Sequence, residues 1–371
     1  MLYKEQYMIL RIFNRTKFYL FIFLFGLLCT NSSQAQLQPA KADSFFNFIN
    51  NNKTRASVYI TRNDSVIARL NENKLMPLAS SVKILIAIEF AQQSAHSVIN
   101  ENAYVKLEEL EKFYIPNTDG GAHPAWLEYA KAHHEIKDGT VKLVDVARGM
   151  MMFSSNANAD YLMDLLGFDN VKDNIELFKL KQHTAIYPLA GSMFIYQIPK
   201  KSTEDKLIKA LEKYSDKKYS MEAYYNHVDL KEDSNFKSTF KPEQFSMKLQ
   251  KMWSDNLPAS TTKEYVQIVS ALNNREVIDE EAFFTIGEVL EFAMENKAFQ
   301  SVFKHYGVKG GSTAFVLTHV IYFTIKDGTK MELAIFFNNL TPAEEKQLEQ
   351  WLDPFEAQLF FDPVFRSKVK F

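Results

Sequence analysis

Alternating hydrophobic and polar positions predict strands near both ends of the chain. Residues 56–62 (ASVYITR) alternate and are rich in β-branched side chains, and an Asn-Asp dipeptide separates them from residues 65–70. Near the other end, residues 313–325 and 330–338 flank an Asp-Gly dipeptide, which is typical of hairpin turns. The pattern therefore predicts one hairpin at each end of the chain.

Between these hairpins, from about residue 105 to about 300, the hydrophobic periodicity is mostly helical. Just before that stretch, residues 80–93 are apolar on nearly every side, which is typical of a buried helix. Thr140 is expected to cap a helix that begins with VKLVDV. A second helix over about 157–166 is expected to end at Gly167, because glycine commonly follows the last helical turn.

Two further segments complete the pattern. Residues 200–251 are rich in Lys, Asp and Ser, and they are expected to form a surface excursion with an amphipathic helix near 203–215. After the second hairpin, Thr341-Pro342 and Glu344 have the spacing of a capping box, with proline at the first helical position. A C-terminal helix is expected to start there.

Together these elements predict an α/β (α+β) fold. One antiparallel sheet is built from both chain ends and flanked by helices, and an all-α lobe is inserted between the two halves of the sheet. The α/β lobe is expected to comprise about 37–100 and 305–371, and the helical lobe about 101–304. With 46% hydrophobic residues in 371, the chain can bury a core of this size.

The first 35 residues have the layout of a secretory signal peptide. Basic residues precede a 12-residue apolar run from Phe18 to Cys29, which is shorter than a transmembrane helix requires. Ser33-Gln34-Ala35 supplies a small-x-small cleavage site, so the domain is expected to span 36–371. We expect a periplasmic or secreted protein with no stable membrane span after cleavage; an uncleaved anchor is the alternative.

Composition narrows the class of function. The 43 basic residues nearly balance the 45 acidic ones, which argues against a nucleic-acid partner. Cys29 is the single cysteine, which excludes a disulfide within the chain and any multi-cysteine zinc or iron–sulfur site. No cofactor or metal is expected, and the protein is expected to be a monomer.

A serine followed three residues later by a lysine has a clear chemical logic. On a helix the two side chains lie one turn apart on the same face, and a partly desolvated lysine can take the serine proton. The bare pattern starts at Ser80, Ser215, Ser234, Ser238, Ser260, Ser301 and Ser367. Only Ser80 opens a long apolar helix directly after a hairpin, so Ser80 and Lys83 are the candidate nucleophile and base; the alternative is that Ser80 is only a helix cap.

Two further motifs follow in order. Ser154-Ser155-Asn156 lies between two helical patterns, and Lys309-Gly310-Gly311 is expected to open the strand that runs on from Ser312. A literal Ser-Asp-Asn also occurs at Ser254, but a Leu-Pro dipeptide and a polar stretch follow it. Ser254 is therefore expected to be an ordinary surface-loop residue, and Ser154 is preferred.

The chain resembles the serine β-lactamases and penicillin-binding proteins, in which S-x-x-K, S-x-N and K-[ST]-G occur in this order. The whole mature chain resembles class A β-lactamases and the related exported serine hydrolases in the order of its lobes. It implies that Ser80 attacks an amide or ester carbonyl, that Lys83 is the base, and that Ser154 passes a proton to the leaving amine.

The resemblance also implies a set of substrate-binding groups. Asn156 would bind a substrate amide, Lys309 would attract a substrate carboxylate, and Gly311 would belong to the same binding strand. The backbone N–H groups of Ser80 and Ser312 would form the oxyanion hole.

Two departures from the family pattern are visible. Gly310 replaces the usual Ser or Thr of the third motif, so Ser312 or Thr313 is expected to supply the missing hydroxyl. The E-x-x-L-N motif, whose glutamate activates the deacylating water, is absent between Gly167 and Lys200, where HTAIYPLAGSMF stands in its expected place.

The sequence thus predicts an exported active-site serine hydrolase that cleaves a β-lactam or related amide through an acyl-enzyme at Ser80. The enzyme alternative is a D,D-peptidase or esterase acting on cell-wall peptides. The alternative from another class is a non-catalytic module that binds β-lactam or peptidoglycan. The expected partner is a small-molecule β-lactam or a peptidoglycan peptide.

Overall fold

The computed structural model describes residues 38–371, so the predicted signal peptide lies outside the described residues. The strands are β1 (Ala56–Arg62), β2 (Ser65–Leu70), β3 (Met76–Pro77), β4 (Tyr104–Lys106), β5 (Thr140–Lys142), β6 (Ala259–Ser260), β7 (Phe303–Ser312), β8 (Leu317–Ile325) and β9 (Lys330–Phe337). The α-helices are Pro39–Asn51, Lys83–Ala95, Leu107–Glu111, Ala122–Ala132, Leu143–Phe153, Asn156–Leu166, Phe168–Leu177, Leu189–Phe194, Glu204–Leu211, Asp216–Glu232, Met247–Asp255, Thr262–Asn274, Ala282–Val289, Lys297–Val302, Pro342–Phe361 and Pro363–Lys368.

The main sheet confirms the predicted fold class. Its five strands are antiparallel in the order β2-β1-β9-β8-β7, so strands from both chain ends pair in one sheet. β1 and β9 pair from Ala56 opposite Phe337 to Arg62 opposite Met331. The segment between the two halves of the sheet is mostly helical and adds two short two-stranded sheets, β3–β6 and β4–β5.

Helices cover both faces of the sheet at β9. Phe337 packs edge-on against Phe45 of the N-terminal helix, while Tyr265 of helix Thr262–Asn274 packs against the adjacent Phe336. Because neighbouring residues in a strand point to opposite faces, these two contacts lie on opposite sides of the sheet. All residues of β9 after Lys330 are buried, which explains its nearly continuous hydrophobic run.

The C-terminal half of the sheet differs from the sequence expectation. Lys309, Gly310 and Gly311 lie at the end of β7 and do not open the following strand, and residues 313–316 form the connection to β8. The N–H of Thr313 donates to the carbonyl of Val316 across this connection. The run 313–325 therefore combines a tight turn with a strand, and its β-rich composition concealed the turn.

The predicted cap at Thr140 is wrong. Thr140 lies in β5, which pairs with β4 from Tyr104 opposite Lys142 to Lys106 opposite Thr140. The helix begins at Leu143 with Lys142 at the N-cap. Pairing with a distant strand thus overrides the local capping preference of threonine.

Helix boundaries elsewhere agree with the pattern. The expected helix over 80–93 begins as a 3₁₀ turn, Ala79–Val82, and continues as helix Lys83–Ala95. Gly167 follows helix Asn156–Leu166 with φ of 88°, a conformation that favours glycine. The capping box at Thr341 and Glu344 is present, with hydrogen bonds in both directions.

Residues 200–251 are more than the expected surface excursion. The amphipathic helix is present as Glu204–Leu211, capped by Thr203. The next helix, Asp216–Glu232, packs closely on helix Leu189–Phe194: a Cβ added to Gly191 would lie 2.3 Å from the Ala223 carbonyl oxygen. Tyr219 and Leu230 bury their side chains in that packing, so the segment contributes to the core. Within residues 38–371, no helix is both long and apolar enough to cross a bilayer.

Candidate active site

Ser80 lies in the 3₁₀ turn that leads into helix Lys83–Ala95. The residue before it, Ala79, has φ of 45°, a left-handed conformation that costs a non-glycine residue about 1–3 kcal/mol. Thr318 of β8 holds this segment in place, because its hydroxyl donates to the Leu78 carbonyl at 2.8 Å and lies 2.9 Å from the Ser81 hydroxyl. The main sheet therefore fixes the backbone around Ser80.

Lys83 connects the first two sequence motifs. Its ammonium donates to the Ser80 hydroxyl at 3.0 Å, to the Ser154 carbonyl at 2.6 Å and to the Asn156 side-chain oxygen at 2.7 Å. The three hydrogens of the ammonium thus meet three acceptors. The spacing of three residues places Lys83 one turn from Ser80, as the helical pattern requires.

Lys83 is completely buried, and burial lowers its pKa from 10.5 to about 7 against the opposing effect of the Asp119 and Asp160 carboxylates. Near neutral pH a substantial fraction of Lys83 is therefore an uncharged amine. In that form its nitrogen can accept the Ser80 proton across their 3.0 Å contact.

The turn between two helices presents the second motif. Ser154 follows helix Leu143–Phe153 in a left-handed conformation with φ of 66°, and Ser155 caps helix Asn156–Leu166 by accepting a hydrogen bond from the Asn158 N–H. Successive side chains therefore point in different directions: Ser154 faces Lys309, Ser155 is fully buried, and Asn156 faces Lys83.

Lys309 at the end of β7 joins the third motif to the second. Its ammonium donates to the Ser154 hydroxyl and, at 2.7 Å, to the Gly310 carbonyl. Burial and the nearby Lys83 ammonium lower the pKa of Lys309 well below its usual range. Since Lys309 donates to the Ser154 oxygen, the hydroxyl hydrogen of Ser154 remains available for another acceptor.

Gly311 shows how closely β7 approaches the backbone at Ser80. A Cβ at this position would lie 2.4 Å from the Ser80 backbone nitrogen and 2.9 Å from the Leu78 carbonyl oxygen, so no larger residue fits. Ser312, whose side chain is exposed, follows directly. The end of β7 therefore lies against the Ser80 backbone; that the N–H groups of Ser80 and Ser312 form an oxyanion hole stays a prediction.

The position of Gly310 is spacious. A Cβ there would make only ordinary contacts, at 3.6 Å from the Nδ1 atom of His319 and 3.7 Å from the Thr318 carbonyl oxygen. Packing therefore does not impose the glycine. Of the two expected substitutes for the missing hydroxyl, Thr313 accepts hydrogen bonds from Ser254 and from the Phe315 N–H, so its own hydrogen can still donate, and Ser312 is exposed.

The segment HTAIYPLAGSMF, residues 183–194, is held by a buried carboxylate. Asp160 accepts the backbone N–H groups of Leu189 at 2.9 Å and of Ala190 at 2.8 Å. Burial raises the pKa of Asp160, against the effects of His227, the two N–H groups and Lys83. Leu189 shares a small hydrophobic cluster with Ala79, so an apolar side chain lies beside the nucleophile segment.

Comparison with known proteins decides the family. A model of the beta-lactamase enzyme family matches residues 41–351. The chain belongs to this family. No curated protein matches the chain.

Solved structures of this family share the fold at low sequence identity. A beta-lactamase from Sphaerobacter thermophilus is 16% identical with a TM-score of 0.53, and the match covers 86% of this chain and 96% of that one. A beta-lactamase from Chitinophaga pinensis is 15% identical with a TM-score of 0.52, covering 87% and 99%. A class A beta-lactamase from Bacteroides cellulosilyticus is 13% identical with a TM-score of 0.50, covering 87% and 98%.

The structure brings together the predicted site residues Ser80, Lys83, Ser154, Asn156, Lys309, Gly311 and Ser312. It also corrects the description of Ser254. This serine is 1% exposed on helix Met247–Asp255, where it donates to the Thr313 hydroxyl at 2.8 Å, and so it is not a surface-loop residue. Because Ser254 is buried and bonded to Thr313, we assign it a role in packing and not in the reaction.

The acids between Gly167 and Lys200 lie away from the site. Asp169, Asp173 and Glu176 are exposed on helix Phe168–Leu177. Residues 183–194 contain no acidic residue. The loop beside Ser80 therefore offers backbone groups and apolar side chains where the class A pattern has a glutamate.

Sequence reasoning missed several residues that shape this site. They are Glu111, Asp119, His123, Asp160, Leu189 and Thr318. Their partners are distant in sequence or are backbone groups; Asp160, for example, binds N–H groups about thirty residues away. Every residue except proline has a backbone N–H, so a hydrogen bond to the backbone cannot be predicted from residue types. The one indication in the sequence was the polar cluster SSNANAD, which contains Asp160.

Proposed function

We propose that the protein is an exported serine hydrolase that forms an acyl-enzyme at Ser80 with a β-lactam or a related amide. The observation that carries this proposal is the set of three hydrogen bonds made by the buried Lys83, to Ser80, Ser154 and Asn156. A lysine with a pKa of about 7 is suited to accept the serine proton near neutral pH.

In the proposed reaction, neutral Lys83 takes the Ser80 proton while the serine oxygen attacks the carbonyl carbon. The backbone N–H groups of Ser80 and Ser312 stabilise the oxyanion. Ser154 passes its proton to the leaving nitrogen and regains one from the Lys309 ammonium that donates to its oxygen, while the proton taken from Ser80 stays on Lys83 until the acyl-enzyme is released. Lys309 also provides positive potential for a substrate carboxylate.

A second candidate, a slowly deacylating penicillin-binding enzyme acting on cell-wall peptides, is favoured by the apolar loop. Both Asp160 oxygens accept loop N–H groups, and residues 183–194 supply no acid. Hydrolysis of a buried ester needs a positioned base, so we propose that acylation is faster than deacylation with β-lactams.

The test uses the purified mature protein with two probes. A fluorescent penicillin reports acylation, and a chromogenic cephalosporin reports turnover. The proposal expects covalent labelling of the wild type and slow release of chromogenic product. Absence of labelling, together with absence of turnover, would support the non-catalytic binding module instead.

A further inference from the structure

A chain of buried polar side chains lies behind the Ser154-Ser155-Asn156 turn. His123, on helix Ala122–Ala132, has its Nδ1 atom 2.9 Å from the Ser155 hydroxyl and its Nε2 atom 3.0 Å from a Glu111 carboxylate oxygen. Ser155 and His123 are both completely buried, whereas the Glu111 side chain is 40% exposed. None of these three residues takes part in the proposed reaction.

Glutamate, histidine and serine occur here in the order of a catalytic triad, but Ser155 is not a nucleophile. It is inaccessible to substrate, and its hydroxyl donates to the Asn158 side-chain oxygen at 2.9 Å. Its oxygen also accepts the Asn158 N–H at the start of the helix. The chain of contacts is therefore a support for the turn.

The hydrogen bonds determine the protonation of His123. The Asn158 amide nitrogen donates to the Val146 carbonyl at 2.9 Å, which orients the Asn158 oxygen towards Ser155. The Ser155 hydroxyl has one hydrogen, and it donates that hydrogen to the Asn158 oxygen. In the contact between His123 and Ser155, Nδ1 must therefore be the donor. An ionised Glu111 carboxylate only accepts, so Nε2 must also carry a hydrogen.

We propose that His123 is an imidazolium positioning residue, held between Glu111 and Ser155, that fixes the turn presenting Ser154 to Lys309 and Asn156 to Lys83. This role rests on the proposed function, because it assigns His123 to the same acylation step. The contact with His123 holds the pKa of Glu111 below its usual range, aided by Lys237.

The charged groups around the ring agree with a positive histidine. Glu111 contacts the imidazole directly, and Asp119 accepts the His123 backbone N–H at 2.9 Å. Lys237 is a cation on the side of Glu111, and its ammonium donates to the Glu111 backbone carbonyl. The rings of Tyr114 and Trp126 pack on the imidazole at centroid distances of 4.7 and 5.4 Å, and they shield it from water.

Replacing His123 by Asn or by Gln tests the contact with Ser155 separately from the contact with Glu111. The amide nitrogen of His123→Asn reaches the place of Nδ1 and can donate to Ser155, whereas that of His123→Gln reaches the place of Nε2 and serves Glu111 only. Since a misplacement of about 1 Å can cost about 10²-fold in rate, we expect labelling by fluorescent penicillin to fall about 10²-fold in His123→Gln. In His123→Asn it is expected to stay within about tenfold of wild type. Equal rates in the two folded variants would overturn the positioning role.

Nitrogen-15 NMR of histidine-labelled protein tests the charge without any substrate. The wild type is expected to show a hydrogen on both ring nitrogens of His123, and Glu111→Gln is expected to show a neutral ring with the hydrogen on Nδ1. A neutral ring in the wild type would overturn the inference.

A backbone readout keeps the two proposals distinguishable. The amide resonances of Ser154 and Asn156 should shift in His123→Gln and stay near their wild-type positions in His123→Asn. If the wild type takes no penicillin label, the proposed function fails, while these spectra still decide the role of His123. Thermal unfolding of each variant checks that it is folded.

Discussion

The two regions that flank Ser80 differ in the polarity of their side chains. On one side, Lys83, Ser154 and Lys309 form a buried network of charged and hydroxyl groups. On the other side, residues 183–194 contain no acidic residue, place Leu189 in a cluster with Ala79, and have two backbone N–H groups bound to Asp160. In the proposed reaction, acylation depends on the first region and hydrolysis of the acyl-enzyme depends on the second, so we expect acylation to be retained and hydrolysis to be slow.

Asp160 illustrates the difference between a structural and a catalytic carboxylate. Each of its two oxygens accepts a loop N–H, at 2.9 and 2.8 Å, and the residue is completely buried. A carboxylate bound in this way anchors the loop, and its complete burial separates it from bulk water. We therefore do not expect Asp160 to replace the missing glutamate.

The largest expected effect is loss of the nucleophile. Ser80→Ala should abolish labelling by fluorescent penicillin, because no other hydroxyl contacts Lys83 among the hydrogen bonds of the described residues. Labelling is measured by gel fluorescence over time.

Two other serines from the same sequence pattern are the controls. Ser260 is buried and donates to Glu264, and Ser301 is exposed and donates to the Ala298 carbonyl. Ser260→Ala and Ser301→Ala should label at the wild-type rate. Labelling that persists in Ser80→Ala would show that the network around Lys83 serves another purpose.

Removal of the proton donor comes next. Ser154→Ala should slow acylation by about 10²–10⁴-fold, because it removes the group proposed to protonate the leaving nitrogen. Ser254→Ala is the matched control: it loses one buried hydrogen bond to Thr313, so it should lower thermal stability slightly and leave the acylation rate nearly unchanged. The reverse ranking of the two rates would contradict the assignment of the second motif.

A carboxylate introduced into residues 183–194 should speed up hydrolysis of the acyl-enzyme. Leu189 shares a cluster with Ala79 beside the nucleophile, so Leu189→Glu is expected to add a base and to raise β-lactam turnover by about 10²-fold. Leu189→Gln matches its size without the charge and should not raise turnover. Steady-state hydrolysis of a chromogenic cephalosporin measures both, and equal turnover in the two variants would mean that the loop does not control deacylation.

The acylation rate should also depend on pH through Lys83. The neutral amine is the active base, so the rate should rise about tenfold per pH unit below its pKa of about 7 and level off above it. The labelling rate constant of the wild type, measured across this range at constant ionic strength, checks the midpoint. A rate that falls as pH rises through 7 would show that the protonated lysine is the active form.

The smallest expected effect concerns Gly310. Serine at this position has room, since its Cβ would lie 3.6 Å from His319, so Gly310→Ser should fold normally and improve β-lactam affinity by a few-fold. Gly311→Ser is the contrasting change, because its Cβ would lie 2.4 Å from the Ser80 nitrogen. It should lower thermal stability and labelling together; tolerance of both serines would disprove the close approach of β7.

The sequence predicted the fold class and the contact between Ser80 and Lys83 because their signals were local. The β1–β2 hairpin, the Ser80–Lys83 spacing and the capping box at Thr341 each depend on residues a few positions apart. Thr140 was misread because its strand exists only through pairing with a distant partner, Lys106. Thr313 was misread because a turn within a β-rich run has no glycine or proline to mark it.

The rest of the site depends on contacts that no local pattern encodes. Ser254 is buried by packing of its helix near the end of β7, although its sequence resembles a polar loop. Leu189 matters through its position in a cluster with Ala79, about one hundred residues earlier. His123 contacts Ser155 and Glu111, and an isolated histidine in the sequence predicts neither contact.

The central claim is that β-lactams acylate Ser80 faster than the resulting acyl-enzyme is hydrolysed. Rapid mixing of the mature protein with a chromogenic cephalosporin, followed by intact-mass spectrometry within seconds, tests it most directly. We predict a product burst of about one equivalent of enzyme, slow turnover afterwards, and one drug adduct on most molecules, located at Ser80 by peptide mapping. Fast linear turnover with no detectable adduct would contradict the account.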